Sequence, residues 1–239
     1  MAYEFDRTQR IAILGGGPGG YEAALAGAQL GAEVTLVERS GVGGSAVLTD
    51  VVPSKTLIAT AEAANSIGEA ADLGVQFYVK NEAGRAMRPQ VTVNLAAVNE
   101  RLKRLARAQS DDMTSQLKQA GVRVVVGDGR LDGTQRILVS TGKGKHRTDF
   151  DEIDADTIIV AVGARPRELP TAKPDGQRIL TWTQLYELTE TPDHLIVVGS
   201  GVTGAEFASA YRALGSQVTL ISSRDQVLPG EDNDAGKAL

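Results

Sequence analysis

The chain has 239 residues, enough to bury one large core or two smaller ones. Hydrophobic residues make up 42% and charged residues 23%, an ordinary globular balance, and the net charge of −5 gives no electrostatic reason to expect nucleic-acid or membrane-surface binding. Cysteine is absent, which excludes disulfides, thiolate catalysis and any cysteine-ligated metal site, and no metal site is expected.

The first residues, Met1 to Asp6, are polar and acidic and lack a signal-peptide core, and no apolar run is long enough to span a bilayer. A soluble, cytoplasmic protein is expected. Arg10 to Leu14 is an apolar run that stops at glycines, as a buried parallel strand does. Tyr21 to Leu30 is Ala-rich and reads as a helix closed by Gly31, and Glu33 to Val37 is a second buried strand. This βαβ start predicts a doubly wound α/β fold. Pro53 to Ala71 and Leu95 to Gln119 read as helices, the latter stopped by Gly121. Short strands follow at Val122–Val126, Arg136–Ser140 and Lys145–Phe150, a β-meander over about 122–150, and Thr157 to Val162 is another buried strand. Pro166, Pro170 and Pro174 mark a linker, so one domain is expected over 1–165 and another from 166 to 239. Leu195–Val198, the glycine loop at 199–204, a helix to Leu214 and Gln217–Ile221 repeat the first βαβ unit. One such unit is too small to close a domain, so the second domain is expected to be truncated.

Gly15-x-Gly17-x-x-Gly20 follows a strand and opens a helix. The first glycine permits the tight turn, the second lets a pyrophosphate approach the backbone, and the third lets helix and strand pack closely. The helix N-terminus that follows Pro18 and Gly19 offers free N–H groups and a positive dipole end. Glu38 ends the next strand, where an acid bonds ribose hydroxyls. Gly199-x-Gly201-Val202-Thr203-Gly204 repeats the fingerprint. Two units imply two dinucleotides: a flavin carrier, FAD, and a nicotinamide donor, NAD(P)H. At the second strand end Ser222, Ser223 and Arg224 stand where an acid is expected. Ser and Arg accommodate a 2′-phosphate that an acid would repel, which leans towards NADPH. The rival reading has Asp225 meet the ribose.

These motifs resemble the class I pyridine nucleotide-disulfide oxidoreductases, the family of dihydrolipoamide dehydrogenase and glutathione reductase. The resemblance runs from about Arg10 onward through Gly15–Gly20, Gly43–Lys55, Ala161–Pro166 and Gly199–Glu206. It implies an FAD domain, an inserted NAD(P) domain, and central and C-terminal dimerisation parts that are absent here, hence a homodimer for a full-length form. It implies cofactor contacts at Gly44, Ser45, Gly129, Ala161, Val162 and Gly163. It also implies that Lys55 stabilises reduced flavin and that Glu206 pairs with it near the nicotinamide. The family's general acid, a His with a Glu partner, has no match in this chain.

The chain departs from the family at Ala46 and Val51, which stand where two cysteines form the redox disulfide. Neither can exchange with a disulfide, so lipoamide and glutathione reduction are excluded. The pattern resembles an actinobacterial branch of NAD(P)H:quinone reductases without that disulfide. It implies hydride passing from NAD(P)H to FAD and on to a quinone. Two rivals are a catalytically idle FAD/NADP-binding protein and an oxidase passing electrons to oxygen. His146 and His194 are read as incidental, Trp182 and Tyr186 as packing against the linker, and Arg101, Lys103, Arg104 and Arg107 as a solvated helix face.

Overall fold

A computed structural model describes residues 8–70, 72–76, 78–80, 86–87, 92–140 and 150–239. In chain order the elements are β1 (Arg10–Leu14), α1 (Pro18–Gln29), β2 (Glu33–Glu38), α2 (Gly44–Leu48), α3 (Val51–Glu69), β3 (Val79–Lys80), β4 (Ala86–Met87), α4 (Leu95–Gln119), β5 (Arg123–Val126), β6 (Asp128–Leu131), β7 (Arg136–Ser140), β8 (Phe150–Asp154), β9 (Thr157–Val160), a 3-10 helix at Trp182–Glu187, β10 (His194–Val198), α5 (Val202–Ala213), β11 (Gln217–Ile221) and α6 (Asn233–Ala238). The chain packs as two compact units: Met1–Pro53 with Lys103–Arg167, and Ser54–Leu102 with Glu168–Leu239.

The first unit is built on a four-stranded parallel sheet in the order β5-β2-β1-β9. Successive strand side chains point to opposite faces, and both faces are covered. On one side Ile13, Val34 and Leu36 pack with Tyr21 and Ala24 of α1 and Leu117 of α4. On the other, Ala12 and Val37 pack with Ile137, Val139 and Ile153 of the antiparallel sheet β6-β7-β8. The meander β6-β7-β8 therefore covers one face of the main sheet, whereas Arg123–Val126, expected as part of the meander, is the edge strand of the main sheet, paired in parallel with β2. The third strand of the meander is Phe150–Asp154; of the expected Lys145–Phe150 strand, residues 145–149 lie outside the described residues. The first helix begins at Pro18 rather than Tyr21. Proline suits the first helical position, because its missing N–H would have no intrahelical partner there.

In the second unit β10 and β11 pair in parallel, and α5 packs against them. Phe207, Ala210, Tyr211 and Leu214 of α5 share a core with Leu57 and Ala61 of α3, Leu95 and Leu102 of α4, and Leu185 and Tyr186 of the 3-10 helix. That helix starts with a reciprocal capping box between Thr181 and Gln184. Buried Asn99 braces its end, donating from Nδ2 to the carbonyl of Leu188 at 2.7 Å. Among the described residues no helix is long and apolar enough to cross a membrane.

Candidate functional site

The first unit reverses its strand order at β1, with β2 on one side and β9 on the other. Ligands of open α/β sheets bind beyond the C-terminal strand ends at such a switch point. A cavity of ≈ 680 Å³ lies there. It falls within the roughly 300–1,000 Å³ range of small-molecule and cofactor pockets. Its walls come from the end of β1 (Leu14, Gly15), the start of α1 (Gly17, Pro18, Gly19), the end of β2 (Val37, Glu38), α2 (Gly44, Ser45), Gly129 of β6, and the loop after β9 (Ala161, Val162, Gly163).

The glycines have separate physical jobs. Gly15 has φ +103°, a left-handed conformation that a side chain would strain. A Cβ on Gly20 would lie 1.9 Å from the carbonyl oxygen of Gly15, so α1 reaches the sheet only because residue 20 lacks one. Gly20 is buried and outside the cavity lining: it sets the approach of helix to strand. Gly17 and Gly19 are the reverse case, with nothing within 4 Å of an added Cβ, so open space lies before them. The N-terminus of α1 has no side-chain cap and no acid in its first turn. Its free N–H groups and positive dipole end are left for an anion. This open cradle fits a pyrophosphate, and Gly129, against which Leu14 and Val37 pack, brings a bare strand to the cavity wall.

Glu38 closes the far end. Its Oε2 accepts from the N–H of Gly16 at 2.7 Å, and its Oε1 accepts from the N–H of Ser40 at 2.7 Å. The carboxylate thus ties the end of β2 to the glycine loop and lines the cavity as well. Arg39, Ser40, Thr49, Asp128, Ala164 and Arg165, none of them an expected site residue, also line it. Arg39 and Asp128 form an ion pair at 3.7 Å. Arg39 and Asp128 each sit next to an expected site residue, which is the only signal the sequence carries for them.

Ala46 lies in α2 and Val51 begins α3. Between these helices the N–H groups of Thr49 and Asp50 both donate to the carbonyl of Ser45, at 3.0 and 2.7 Å, which ends α2.

The second unit repeats the loop geometry. Gly199 has φ +116°, and a Cβ on Gly204 would again lie 1.9 Å from the carbonyl oxygen of Gly199. The helix-opening residues match too: Gly17 has φ −65° and ψ −178°, Gly201 φ −72° and ψ −178°. Val202 and Thr203 form the first turn of α5, again without a side-chain cap. One turn further on, the Glu206 carboxylate accepts a hydrogen bond from Nζ of Lys55, so the structure brings this expected pair together. Ser222, Ser223 and Arg224 follow β11 directly, and Asp225 beside them is exposed.

The residues set aside in the sequence occupy other places. Tyr186 is buried with its ring centroid 5.8 Å from that of Phe207, and Trp182 packs on the same core. Nε2 of His194 lies 2.9 Å from Oγ1 of Thr219 on the neighbouring strand. His146 lies outside the described residues. Arg101, Arg104 and Arg107 are exposed on α4.

Known proteins share this arrangement. The chain is 48% identical over 240 residues to an NAD(P)H dehydrogenase (quinone) of Mycobacterium tuberculosis, covering 96% of this chain and 46% of that protein. It is 33% identical over 229 residues to a dihydrolipoyl dehydrogenase of Chlorobaculum parvum, covering 96% of this chain and 46% of that one. The crystal structure of LpdA from Mycobacterium tuberculosis superimposes with a TM-score of 0.83 at 46% identity, over 97% of this chain and 48% of that chain. The chain spans about half the length of the curated relatives it matches. Residues 9–239 match the profile of the pyridine nucleotide-disulphide oxidoreductases, a family whose membership implies FAD and NAD(P)H. The chain belongs to the pyridine nucleotide-disulphide oxidoreductase family.

Proposed function

We propose that this chain carries the FAD- and NAD(P)H-binding parts of an oxidoreductase that reduces a quinone without a redox disulfide. The observation that carries the reading is the open cavity over Gly17 and Gly19, walled by Glu38 and Ala161–Gly163, in a chain with no cysteine. When bound there, FAD would accept a hydride from NAD(P)H and deliver the electrons to the acceptor. The residues up to 165 are proposed as the FAD domain and 166–239 as part of the NAD(P) domain, with Ser54–Leu102 packed in the second unit.

The roles divide among the residues already placed. The N–H groups at the start of α1 would hold the pyrophosphate, and Glu38 would meet the adenosine ribose while keeping its grip on Gly16. The second loop, Gly199–Gly204, would take the nicotinamide dinucleotide. Ser222, Ser223 and Arg224 favour NADPH, because hydroxyls and a guanidinium suit a 2′-phosphate. Lys55, oriented by Glu206, would supply the positive charge that stabilises reduced flavin. Ala46 and Val51 carry no electrons, so the acceptor must meet the flavin directly. A quinone is favoured by the relative named NAD(P)H dehydrogenase (quinone). The family resemblance extends the proposal to a homodimeric, cytoplasmic protein, which sedimentation and cell fractionation test.

Protein reconstituted with FAD is mixed anaerobically with NADPH or NADH, and a benzoquinone is then added. Flavin bleaching followed by quinone-dependent turnover is the expected result. Bleaching reversed only by oxygen would make the protein an oxidase. FAD binding with no bleaching by either nucleotide would leave a binding protein without this activity.

A further inference from the structure

The hydroxyl side chains of α4 share one habit, with one exception. Thr114 Oγ1 donates to the carbonyl of Ser110 at 2.8 Å, and Ser115 Oγ to that of Asp111 at 2.9 Å. This bond to residue i−4 is the usual outlet for a hydroxyl inside a helix. Ser110 does not make it. An added Cβ on Gly41 would stand 2.9 Å from Ser110 Oγ, so the bare glycine leaves that hydroxyl its room. Ser110 is only 6% exposed, yet its hydroxyl has no hydrogen-bond partner among the described residues. Buried polar side chains are nearly always met, so this one calls for a partner from outside the chain.

Ser110 lines a second cavity, of ≈ 280 Å³, that lies wholly within the first unit. It adjoins the larger one, with Glu38, Ser40 and Leu48 lining both. Its volume falls just below the roughly 300 Å³ at which cofactor pockets begin, so it suits something smaller than a nucleotide. Val42, Leu48 and Val124 give it an apolar lining, and exposed Arg107 and Asp111 bring opposite charges to it. Arg107 precedes Asp111 by four residues, the less favourable order for an ion pair on one helix. The two form no ion pair with each other or with another described residue. Glu38, the third charge on the wall, already accepts from the amides of Gly16, Ser40 and Gly41. One guanidinium, one carboxylate and one buried hydroxyl therefore stand unmet around an apolar hollow.

We propose that this second cavity binds a free apolar α-amino acid, with its carboxylate on Arg107, its ammonium on Asp111, its side chain against Val42, Leu48 and Val124, and the Ser110 hydroxyl bonded to one of its polar atoms. Side chains at i and i+4 stand about 5–6 Å apart at Cβ, a spacing that the two charged groups on one α-carbon can bridge. A simple anion would meet Asp111, and a simple cation would meet Arg107, so a zwitterion with a hydrocarbon body is the class that uses every group. The site stands on α4, β5 and the loop after β2, and it does not depend on which dinucleotide the glycine loops take.

FAD-loaded protein is titrated calorimetrically with L-leucine, with isocaproate (leucine without its ammonium), with isoamylamine (leucine without its carboxylate) and with glycine. Leucine should bind saturably, and each of the other three at least about tenfold more weakly, the scale of one charge-assisted hydrogen bond or one buried side chain. R107Q should weaken leucine about tenfold and leave isoamylamine as it was; D111N should weaken leucine as much and leave isocaproate as it was. S110A should weaken leucine by a smaller factor, that of a neutral hydrogen bond. Arg107 and Asp111 are exposed, so their variants should melt with wild type. No saturable leucine binding overturns the inference, and so does isocaproate or isoamylamine binding as tightly as leucine. Leucine affinity unchanged in both R107Q and D111N places the binding elsewhere and overturns it too. Protein that retains no FAD yet binds leucine in this pattern would remove the flavin reading and leave this site standing.

Discussion

Gly20 and Gly15 meet so closely that a Cβ on Gly20 would lie 1.9 Å from the Gly15 carbonyl oxygen. The obstacle is backbone, so α1 must shift on the sheet to accept any side chain. G20A is expected to destabilise the protein by about 1–3 kcal/mol or more, as overpacking does. G17A is the contrasting case: nothing lies within 4 Å of its Cβ, and its φ of −65° suits alanine. G17A should leave the melting temperature unchanged and weaken FAD binding by tenfold or so, because the methyl would stand where a pyrophosphate approaches. Melting curves and FAD titration of the two variants separate packing from binding. Equal FAD affinity in G17A and wild type would falsify the cradle.

Glu38 holds three backbone amides at once, those of Gly16 and Ser40, both at 2.7 Å, and that of Gly41 at 3.4 Å. Glutamine keeps the shape but turns one acceptor into a donor, which leaves one N–H facing another. E38Q should cost about 1–3 kcal/mol from the unsatisfied amide and loosen FAD. Chemical denaturation and flavin release on dilution measure both effects. A stable E38Q with unchanged FAD affinity would show that the carboxylate does neither job.

Tyr211 is fully buried, and burial pushes its phenol from 10.0 up to about 12. The folded state then holds the proton more tightly than the unfolded state. Stability from this group is complete below about pH 10 and is lost as the pH rises towards about 12. Its hydroxyl lies 3.4 Å from the carbonyl of Leu185, which also accepts from Asn99 Nδ2 at 3.4 Å. Y211F should therefore cost less than about 1 kcal/mol at neutral pH and flatten the alkaline fall in melting temperature. An equally steep fall in Y211F would assign it to other groups.

The Lys55–Glu206 pair joins side chains that are 57% and 24% exposed. Such a pair contributes only about 0–1 kcal/mol to stability, so K55A and E206Q should melt close to wild type. Flavin reduction by NADPH should nevertheless slow by about ten- to a hundredfold in K55A, from the loss of a preorganised charge. Stopped-flow absorbance follows the step directly. Unchanged rates in both variants would confine the pair to a structural role.

Much of this was legible in the linear order of residues. The strand–loop–helix–strand–acid order over 10–38 predicts the first βαβ unit and the part of the cavity lining that lies within it, because Gly15 and Gly20 answer to local backbone geometry and Gly17 and Gly19 to open space before the loop. The same logic recovers Gly199–Gly204, whereas the break at Ala46 and Val51 is marked by the family resemblance. Strand β6 was not anticipated, since Asp128-Gly129-Arg130-Leu131 has weak strand character and is ordered by pairing with β7. The start of α1 was placed late for a related reason: Gly19 and Gly20 are poor helix formers that packing on the sheet holds in helical form.

The sequence by itself determined the family, the two glycine loops and the absence of a redox disulfide, because these depend on residue types at short, fixed spacings. Only the tertiary structure decided that Ser54–Leu102 packs with the C-terminal segment, that Arg39 meets Asp128 beside the cavity, and that Ser200 reaches Ser222. Those relationships join residues far apart in the chain. They come from how the strand ends and helices are brought together in each core, and no local pattern encodes them.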